Sequence, residues 1–229
     1  MNAALSRRAL SCCRAPASRR TVLRAGLAMG ALTAGLALLP RAALAALSDT
    51  DRADLERISR WLNDFETLIA RFIQIAPDGA VATGSLWFHR PGRMRIDYDP
   101  PVPVIIVSDG GPILYWDAEL YQASYLPVAA TPARFLLADT ISFDGQDVVV
   151  ETVLRDPGVI RVAVRSARPD EPGQIILNFA DRPLQLAGWR LIDAQGQAVD
   201  VALTDHSFGV PIPPGQFRFT PPEAPVGRR

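Results

Sequence analysis

Lysine is absent from this sequence of 229 residues, and cysteine and histidine are nearly absent. The two cysteines stand together at Cys12 and Cys13, and the two histidines, His89 and His206, lie far apart. A protein metal site needs three or four suitably spaced ligands from His, Cys, Asp and Glu, so the sequence predicts neither a metal nor a cofactor. Because no cysteine follows residue 13, the core must be stable without a disulfide.

The familiar catalytic motifs are missing as well. The sequence contains no G-x-S-x-G nucleophile elbow and no glycine-rich phosphate loop. Asp97 and Asp99 resemble a pair of carboxylates, but they stand beside Arg93 and Arg95 on a predicted strand, which is typical of a solvated charge cluster. We therefore predict that the protein is not an enzyme. A hydrolase is the alternative, and a screen of ester and glycoside substrates would test it.

The first part of the chain has the pattern of an export signal. Residues 18–24 read S-R-R-T-V-L-R, which is similar to a twin-arginine motif, and an apolar run over 25–39 precedes A-L-A at 43–45. A membrane anchor is the alternative, but the apolar run is short and rich in glycine. We expect residues 1–45 to be removed as a signal peptide and residues 46–229 to form a single exported domain in an oxidising compartment.

The charge of that domain is modestly acidic. Seven of the 24 arginines and none of the 24 acidic residues precede residue 46, so residues 46–229 carry 17 arginines and a net charge of −7. Nucleic-acid binding requires a basic face, and binding to anionic lipid requires a polybasic patch. The sequence therefore predicts no nucleic-acid partner.

Two short helices are predicted. The first covers residues 50–63, where Ser48 and Asp51 have the spacing of a capping box and apolar residues recur at helical intervals. The second starts at Thr131-Pro132, with Thr as the N-cap and Pro at the first helical position. The second is too short to be stable alone, so we expect both to cover an apolar surface.

Strands are predicted for most of the remaining domain. From residue 67 the apolar residues alternate with a period of two, and turns rich in proline and glycine separate the runs. The last predicted strand is F-R-F-T at residues 217–220. The fold class is therefore mainly β with short helices, in which ten to eleven antiparallel strands form a barrel or a strongly curved sheet.

Residues 84–101 predict the central hairpin of this sheet, with Arg90-Pro91-Gly92 at its turn. Alternation places apolar side chains on one face and Arg93, Arg95 and Asp97 on the other. The candidate inner face of this hairpin and the next one consists of Leu86, Phe88, Met94, Ile96, Tyr98, Ile105, Val107, Leu114 and Trp116. Such a face is either a plain core or the wall of a pocket for an apolar ligand, and composition alone does not separate the two.

Several motifs occur in the order found in one known family. They are F-x-Q at 72–74, G-S-L-W at 84–87, H-R-P-G-R-M-R-I at 89–96, I-V-S-D-G at 106–110, L-Y-W-D at 114–117, T-P at 131–132 and F-R-F-T-P-P at 217–222. Together they resemble the outer-membrane lipoprotein carrier family, LolA. The resemblance is collinear and covers most of residues 46–229.

This resemblance implies an incomplete antiparallel β-barrel, or half-barrel, with a helical lid over an apolar cavity. It also implies a periplasmic carrier of lipoprotein acyl chains, loaded by an inner-membrane ABC-type lipoprotein release complex and unloaded at an outer-membrane lipoprotein receptor. Arg90 matches the family's arginine that holds the lid closed, and Met94 matches an apolar lining position. Phe135 and Leu136 complete the expected acyl site from the second helix.

The sequence departs from the family in three ways. The export signal resembles a twin-arginine motif, whereas the family generally uses the general secretory route. Arg93 and Arg95 add positive charge to the central hairpin, and residues 148–154 carry no motif of the family. A carrier of another lipid, either sterol-like or a glycolipid, and a periplasmic sensor of lipid or lipoprotein are therefore alternatives. We expect a monomer, because a dimer would bury the cavity rim through which a carrier docks.

Overall fold

Eleven strands and two α-helices account for most of the described chain. The computed structural model describes residues 47–223 except 129, 130, 132, 146, 170 and 172, all within one compact unit. The strands are β1 (Thr67–Ile75), β2 (Val81–His89), β3 (Arg93–Tyr98), β4 (Val104–Asp109), β5 (Ile113–Asp117), β6 (Gln122–Leu126), β7 (Val148–Asp156), β8 (Val159–Ser166), β9 (Gln174–Asp181), β10 (Leu184–Ile192) and β11 (Ala198–Phe208). The helices are α1 (Asp49–Asn63) and α2 (Ala133–Leu136), and a 3₁₀ helix covers Pro214–Phe217. The predicted signal peptide lies outside the described residues.

The strands form one antiparallel sheet with the order β6-β5-β4-β3-β2-β1-β11-β10-β9-β8-β7. The first and last strands are neighbours at its centre, where Phe72 of β1 pairs with Leu203 of β11. At the two edges, β6 and β7 pair with no further strand of the described chain, so the sheet stays open. The predicted fold class, a mainly β, incomplete barrel of ten to eleven strands, is confirmed.

Helix α1 begins with the predicted capping box. The Ser48 N–H donates to Asp51 Oδ2 (2.8 Å), and the Asp51 N–H donates to Ser48 Oγ (3.1 Å). Its apolar stripe is buried in the same core as the inner face of the sheet. Arg155 of β7 donates to Asp51 (2.7 Å) and to Asp54 (2.6 Å), and it lowers the pKa of Asp51 below its usual value. These ion pairs hold the first half of α1 against the β7 edge.

The predicted last strand at residues 217–220 is wrong. Phe217 ends the 3₁₀ helix, and the following residues pair with no strand, while β11 extends as far as Phe208. Prolines precede and follow this segment, and a residue without an N–H cannot donate to a sheet ladder. The segment, here called the C-terminal strap (residues 210–220), instead lies across the outer face of the sheet.

The strap covers the outer face through aromatic and cationic contacts. Phe217 is only 2% exposed and lies beneath the guanidinium of Arg93, whose Cζ is 5.9 Å from the ring centroid. The Phe219 ring lies 6.0 Å from Arg95 Cζ and 6.2 Å from the Trp116 ring. The unusual arginines of β3 therefore pack on strap aromatics, which offers a structural reason for their presence.

Candidate functional site

A cavity of about 250 Å³ lies between the inner face of the sheet and the segment around α2. Strands from both halves of the sheet contribute to its wall, because the sheet curves until β2 and β10 face each other. The Phe88 and Trp189 rings from these strands stack with centroids 6.3 Å apart. Fourteen of the lining residues are apolar, so the wall suits an apolar ligand.

Six of the twelve predicted site residues line this cavity, and they come from β2, β3 and α2. They are Leu86, Phe88, Met94, Ile96, Tyr98 and Leu136. Twelve further lining residues had not been predicted, namely Phe72, Gln74, Ile106, Ile113, Tyr115, Leu126, Thr131, Ile175, Trp189, Leu191, Val199 and Val201. Phe72 and Gln74 could have been predicted from the sequence, because the alternation of side chains along β1 places both on the same face.

On β4 and β5, the residues that face the cavity alternate with those that the sequence predicted. Ile105, Val107, Leu114 and Trp116 are not among the lining residues, whereas Ile106 is. Cross-strand partners share a face of the sheet, and Val107 pairs with Arg95, which packs on the strap. Because β4 reads V-I-I-V without alternation, its sequence does not distinguish its two faces.

Phe135 is buried but does not line this cavity. Its ring packs against Phe143, with centroids 5.4 Å apart, and borders a second depression beneath the segment that follows α2. Helix α1 and residues 133–145 are here called the lid, because both pack over the apolar core. Phe135 therefore contributes to the internal packing of the lid.

Arg90 joins the turn of the central hairpin to the end of α1. Its Nη2 donates to the carbonyl oxygens of Leu62 and Phe65, and its Nη1 donates to Asn63 Oδ1 (3.3 Å). The side chain is only 6% exposed, and its Cζ lies 5.5 Å from the centroid of the Phe65 ring. Arg90 thus supplies donors to carbonyl groups at the C-terminal end of a helix, where such groups lack partners.

Arg90 and its neighbours also connect the two parts of the lid. The Gly92 N–H donates to the Leu137 carbonyl oxygen (2.9 Å). Asn63 exchanges two hydrogen bonds with the Ile141 backbone, at 2.8 Å and 2.9 Å. The hydrogen bonds of Arg90, Gly92 and Asn63 therefore join the hairpin turn, the end of α1 and residues 133–145, and this set of bonds is here called the latch.

The charge of Arg90 is held without an ion pair. Burial lowers the pKa of Arg90 below its usual value, although Glu66 and Asp139 partly oppose this. No carboxylate of the described chain lies within ion-pair distance of Arg90, so neutral carbonyl and amide oxygens take its hydrogen bonds. Arginine remains protonated at neutral pH even so, because its unperturbed pKa lies far above neutrality. Bonds of this kind are individually weak enough to open and close.

Histidine is not part of the cavity. His89 lies on the outer side, with its ring centroid 6.0 Å from that of Phe217, and its Nδ1 is buried without a hydrogen-bond partner in the described chain. Burial, and then the nearby Arg93, lower the pKa of His89 below its usual value, which favours the neutral ring. Among the residues that the structure describes, no three His, Cys, Asp or Glu side chains are arranged to hold a metal.

Two relatives of known family resemble this chain over most of their length. An outer-membrane lipoprotein carrier protein from Methylibium petroleiphilum is 31% identical over 196 residues, covering 82% of this chain and 93% of the relative. Another from Alkalilimnicola ehrlichii is 32% identical over 181 residues, covering 75% and 80%. A Vibrio parahaemolyticus structure described as an outer membrane lipoprotein-sorting protein domain is 10% identical, with a TM-score of 0.45 and coverage of 72% and 96%.

A family model agrees with these relatives. The model described as "Outer membrane lipoprotein carrier protein LolA" matches residues 63–220, a span that contains all the strands of the described chain, α2 and the C-terminal strap. The match covers well over half of the sequence. No helix within the described ranges is long and apolar enough to cross a membrane. The chain belongs to the LolA family of outer-membrane lipoprotein carrier proteins.

Proposed function

We propose that this protein is a periplasmic carrier that shields the acyl chains of lipoproteins between the inner and the outer membrane. The observation that carries this proposal is the apolar cavity beside a lid that Arg90 latches through backbone carbonyls. The name of the family supports the lipoprotein as cargo. Binding, rather than catalysis, is the activity that such a site performs.

The energy of an exposed acyl chain explains why a carrier is needed. Each methylene is worth ~0.8 kcal/mol, so a chain of roughly fifteen methylenes held in water costs ~12 kcal/mol. Free diffusion between membranes is therefore negligible. A wall in which fourteen lining residues are apolar removes most of this cost during transit.

The closed cavity is small for this cargo. Its volume of about 250 Å³ lies below the roughly 300–1,000 Å³ that is typical of sites for drug-sized ligands. A lipoprotein with long acyl chains therefore needs a larger space, which opening of the latch would create between the lid and the sheet. The Arg90 bonds of the latch join a charged donor to neutral oxygens and are worth roughly 1.5–3 kcal/mol each, and its bonds between neutral groups are worth about 1 kcal/mol each, so opening is within reach of a docking partner.

The remaining parts of the proposal concern export and partners. Residues 1–45 direct export to the periplasm, and residues 46–229 form the carrier domain. An inner-membrane ABC-type complex loads the cargo, and an outer-membrane lipoprotein receptor accepts it. The carrier works as a monomer, because its cavity rim must be free to meet each partner in turn.

Release of lipoproteins from spheroplasts tests the proposed function. We expect purified protein comprising residues 46–229 to release a lipoprotein from the membrane as a soluble one-to-one complex, detected by size exclusion and mass spectrometry. The variant Met94→Glu, which places a charge in the apolar wall of the cavity, is the control. Absence of release, together with a different lipid in the purified protein, would contradict the lipoprotein assignment and favour a sterol-like or glycolipid cargo.

Arg90→Leu should increase acyl affinity about tenfold and slow acyl release. Loss of three donors removes hydrogen bonds that exist only in the closed state, and a shift of about 1.4 kcal/mol toward the open state corresponds to tenfold. A fluorescent fatty acid, followed by equilibrium titration and stopped-flow dissociation, provides the measurement. Arg155→Leu is the matched control, because Arg155 also holds α1 but lies away from the latch. If the two variants behaved alike, the latch would have no special role.

A further inference from the structure

One polar pair interrupts the apolar wall of the cavity. Tyr98 Oη donates to Gln74 Oε1 at 2.8 Å, and both side chains line the cavity while being half-buried. Phe72 supports the pair from one side, with its ring centroid 5.2 Å from that of Tyr98. Placing a polar pair in an apolar wall costs desolvation free energy. A role in ligand binding would explain why the pair is there.

The pair stands at the end of the cavity away from the latch. Gln74 is the penultimate residue of β1 and pairs with Ala82, whereas Thr67 at the start of β1 pairs with His89 beside Arg90. Tyr98 ends β3. A ligand lying along β1 would therefore have one end near the latch and the other end near this pair.

Within this pair, the amide nitrogen of Gln74 can still donate to a ligand. The Tyr98 hydroxyl hydrogen and the Gln74 carbonyl oxygen satisfy each other. The Gln74 Nε2 carries two hydrogens, and within the described chain it donates to no acceptor. Burial raises the pKa of Tyr98 above its usual value, so the hydroxyl remains protonated and keeps Gln74 in this orientation.

The two other polar lining residues do not compete for this role. The Thr131 hydroxyl donates to the Val128 carbonyl oxygen at 2.9 Å and is already paired. Tyr115 is 36% exposed and reaches solvent at the rim. The amide nitrogen of Gln74 is thus the donor that the cavity offers to a bound molecule.

We propose that Gln74, oriented by Tyr98, donates to the ester carbonyl oxygen at the head of a bound acyl chain. The hydrocarbon tail then lies against Met94 and Phe88 toward the latch. This inference rests on the proposed function, because it assigns the acyl ligand an orientation within the same cavity. An alkyl ether of equal length lacks the carbonyl oxygen and so removes the acceptor that Gln74 Nε2 would use.

A pair of lysolipids that differ only at the carbonyl tests the assignment. Palmitoyl lysophosphatidylcholine and its hexadecyl ether analogue are titrated below their micelle concentrations, with the change in total tryptophan fluorescence as the readout, because Trp189, one of the four tryptophans, lines the cavity. We expect wild-type protein to bind the ester about fivefold more tightly, the ratio that one neutral hydrogen bond provides. Gln74→Leu should lose this preference by weakening ester binding alone, and Tyr98→Phe should reduce it.

Gln122→Leu is the matched control, since this exposed glutamine of β6 does not line the cavity, and it should keep the preference. Equal affinity of wild-type protein for ester and ether would overturn the carbonyl site while leaving acyl carriage intact. An equal loss of both affinities in Gln74→Leu would also overturn it and assign Gln74 to packing. Failure of wild-type protein to bind either lysolipid would remove the proposed function and this inference together.

Discussion

Replacement of Met94 with glutamate is expected to reduce the affinity for an acyl ligand at least about 100-fold. Met94 is 4% exposed on β3 and lines the cavity among apolar side chains. An ionised carboxylate there would draw water into the site and would have to be desolvated by an entering chain, at a cost of several kcal/mol. A 100-fold loss corresponds to about 2.7 kcal/mol and is therefore a lower bound. Titration with a fluorescent fatty acid measures the loss.

Two further variants make this result specific to the cavity. Ile106→Glu changes a half-buried lining residue on β4, where the fold tolerates a charge better, and should reduce affinity similarly. Ile73→Glu lies on the opposite face of the same sheet, is 40% exposed, and should bind as wild type does. Unchanged acyl affinity in both lining variants, with normal circular dichroism, would show that acyl chains bind elsewhere.

Replacement of Gly84 with alanine is expected to destabilise the fold by about 3 kcal/mol, the upper end of what overpacking costs. Gly84 of β2 lies between Phe72 of β1 and Tyr98 of β3, its partners on either side. A Cβ at Gly84 would overlap the carbonyl oxygen of Asp97 and would lie 2.5 Å from Phe72 Cε1. Because one obstacle is backbone, a side-chain rotation cannot relieve the overlap. Urea unfolding measures the change in free energy.

The variant Gly215→Ala provides the control, because a Cβ there meets no atom within 4 Å, and its stability should match that of wild type. Phe72→Leu combined with Gly84→Ala should recover part of the lost stability, since the smaller side chain removes one of the two obstacles. Equal stability of Gly84→Ala and wild type would mean that the strands separate easily at this point. The change should also weaken acyl binding, because Phe72 and Tyr98 both line the cavity.

Local features of this protein could be predicted from the sequence. The capping box of α1 follows from Ser48 and Asp51, which lie three residues apart, and the inner face of β2 and β3 follows from their alternation. The turn at Arg90-Pro91-Gly92 likewise follows from residues adjacent in the chain. In each case the interacting groups are close in sequence, so a short pattern contains the necessary information.

Features that depend on distant partners required the tertiary structure. The wall supplied by Ile175, Trp189, Leu191, Val199 and Val201 faces the central hairpin only because β1 pairs with β11 across more than half of the domain. The phase of β4 was decided by its register with β3, since both of its faces are apolar. The strap became a cover instead of a strand because prolines prevent pairing and the outer face of β3 and β4 was available to its aromatic rings. The sequence by itself determined the helices, most of the strands and the amphipathic central hairpin. Packing against residues far along the chain determined which strand faces became the cavity, because the burial of a side chain depends on all of its neighbours at once.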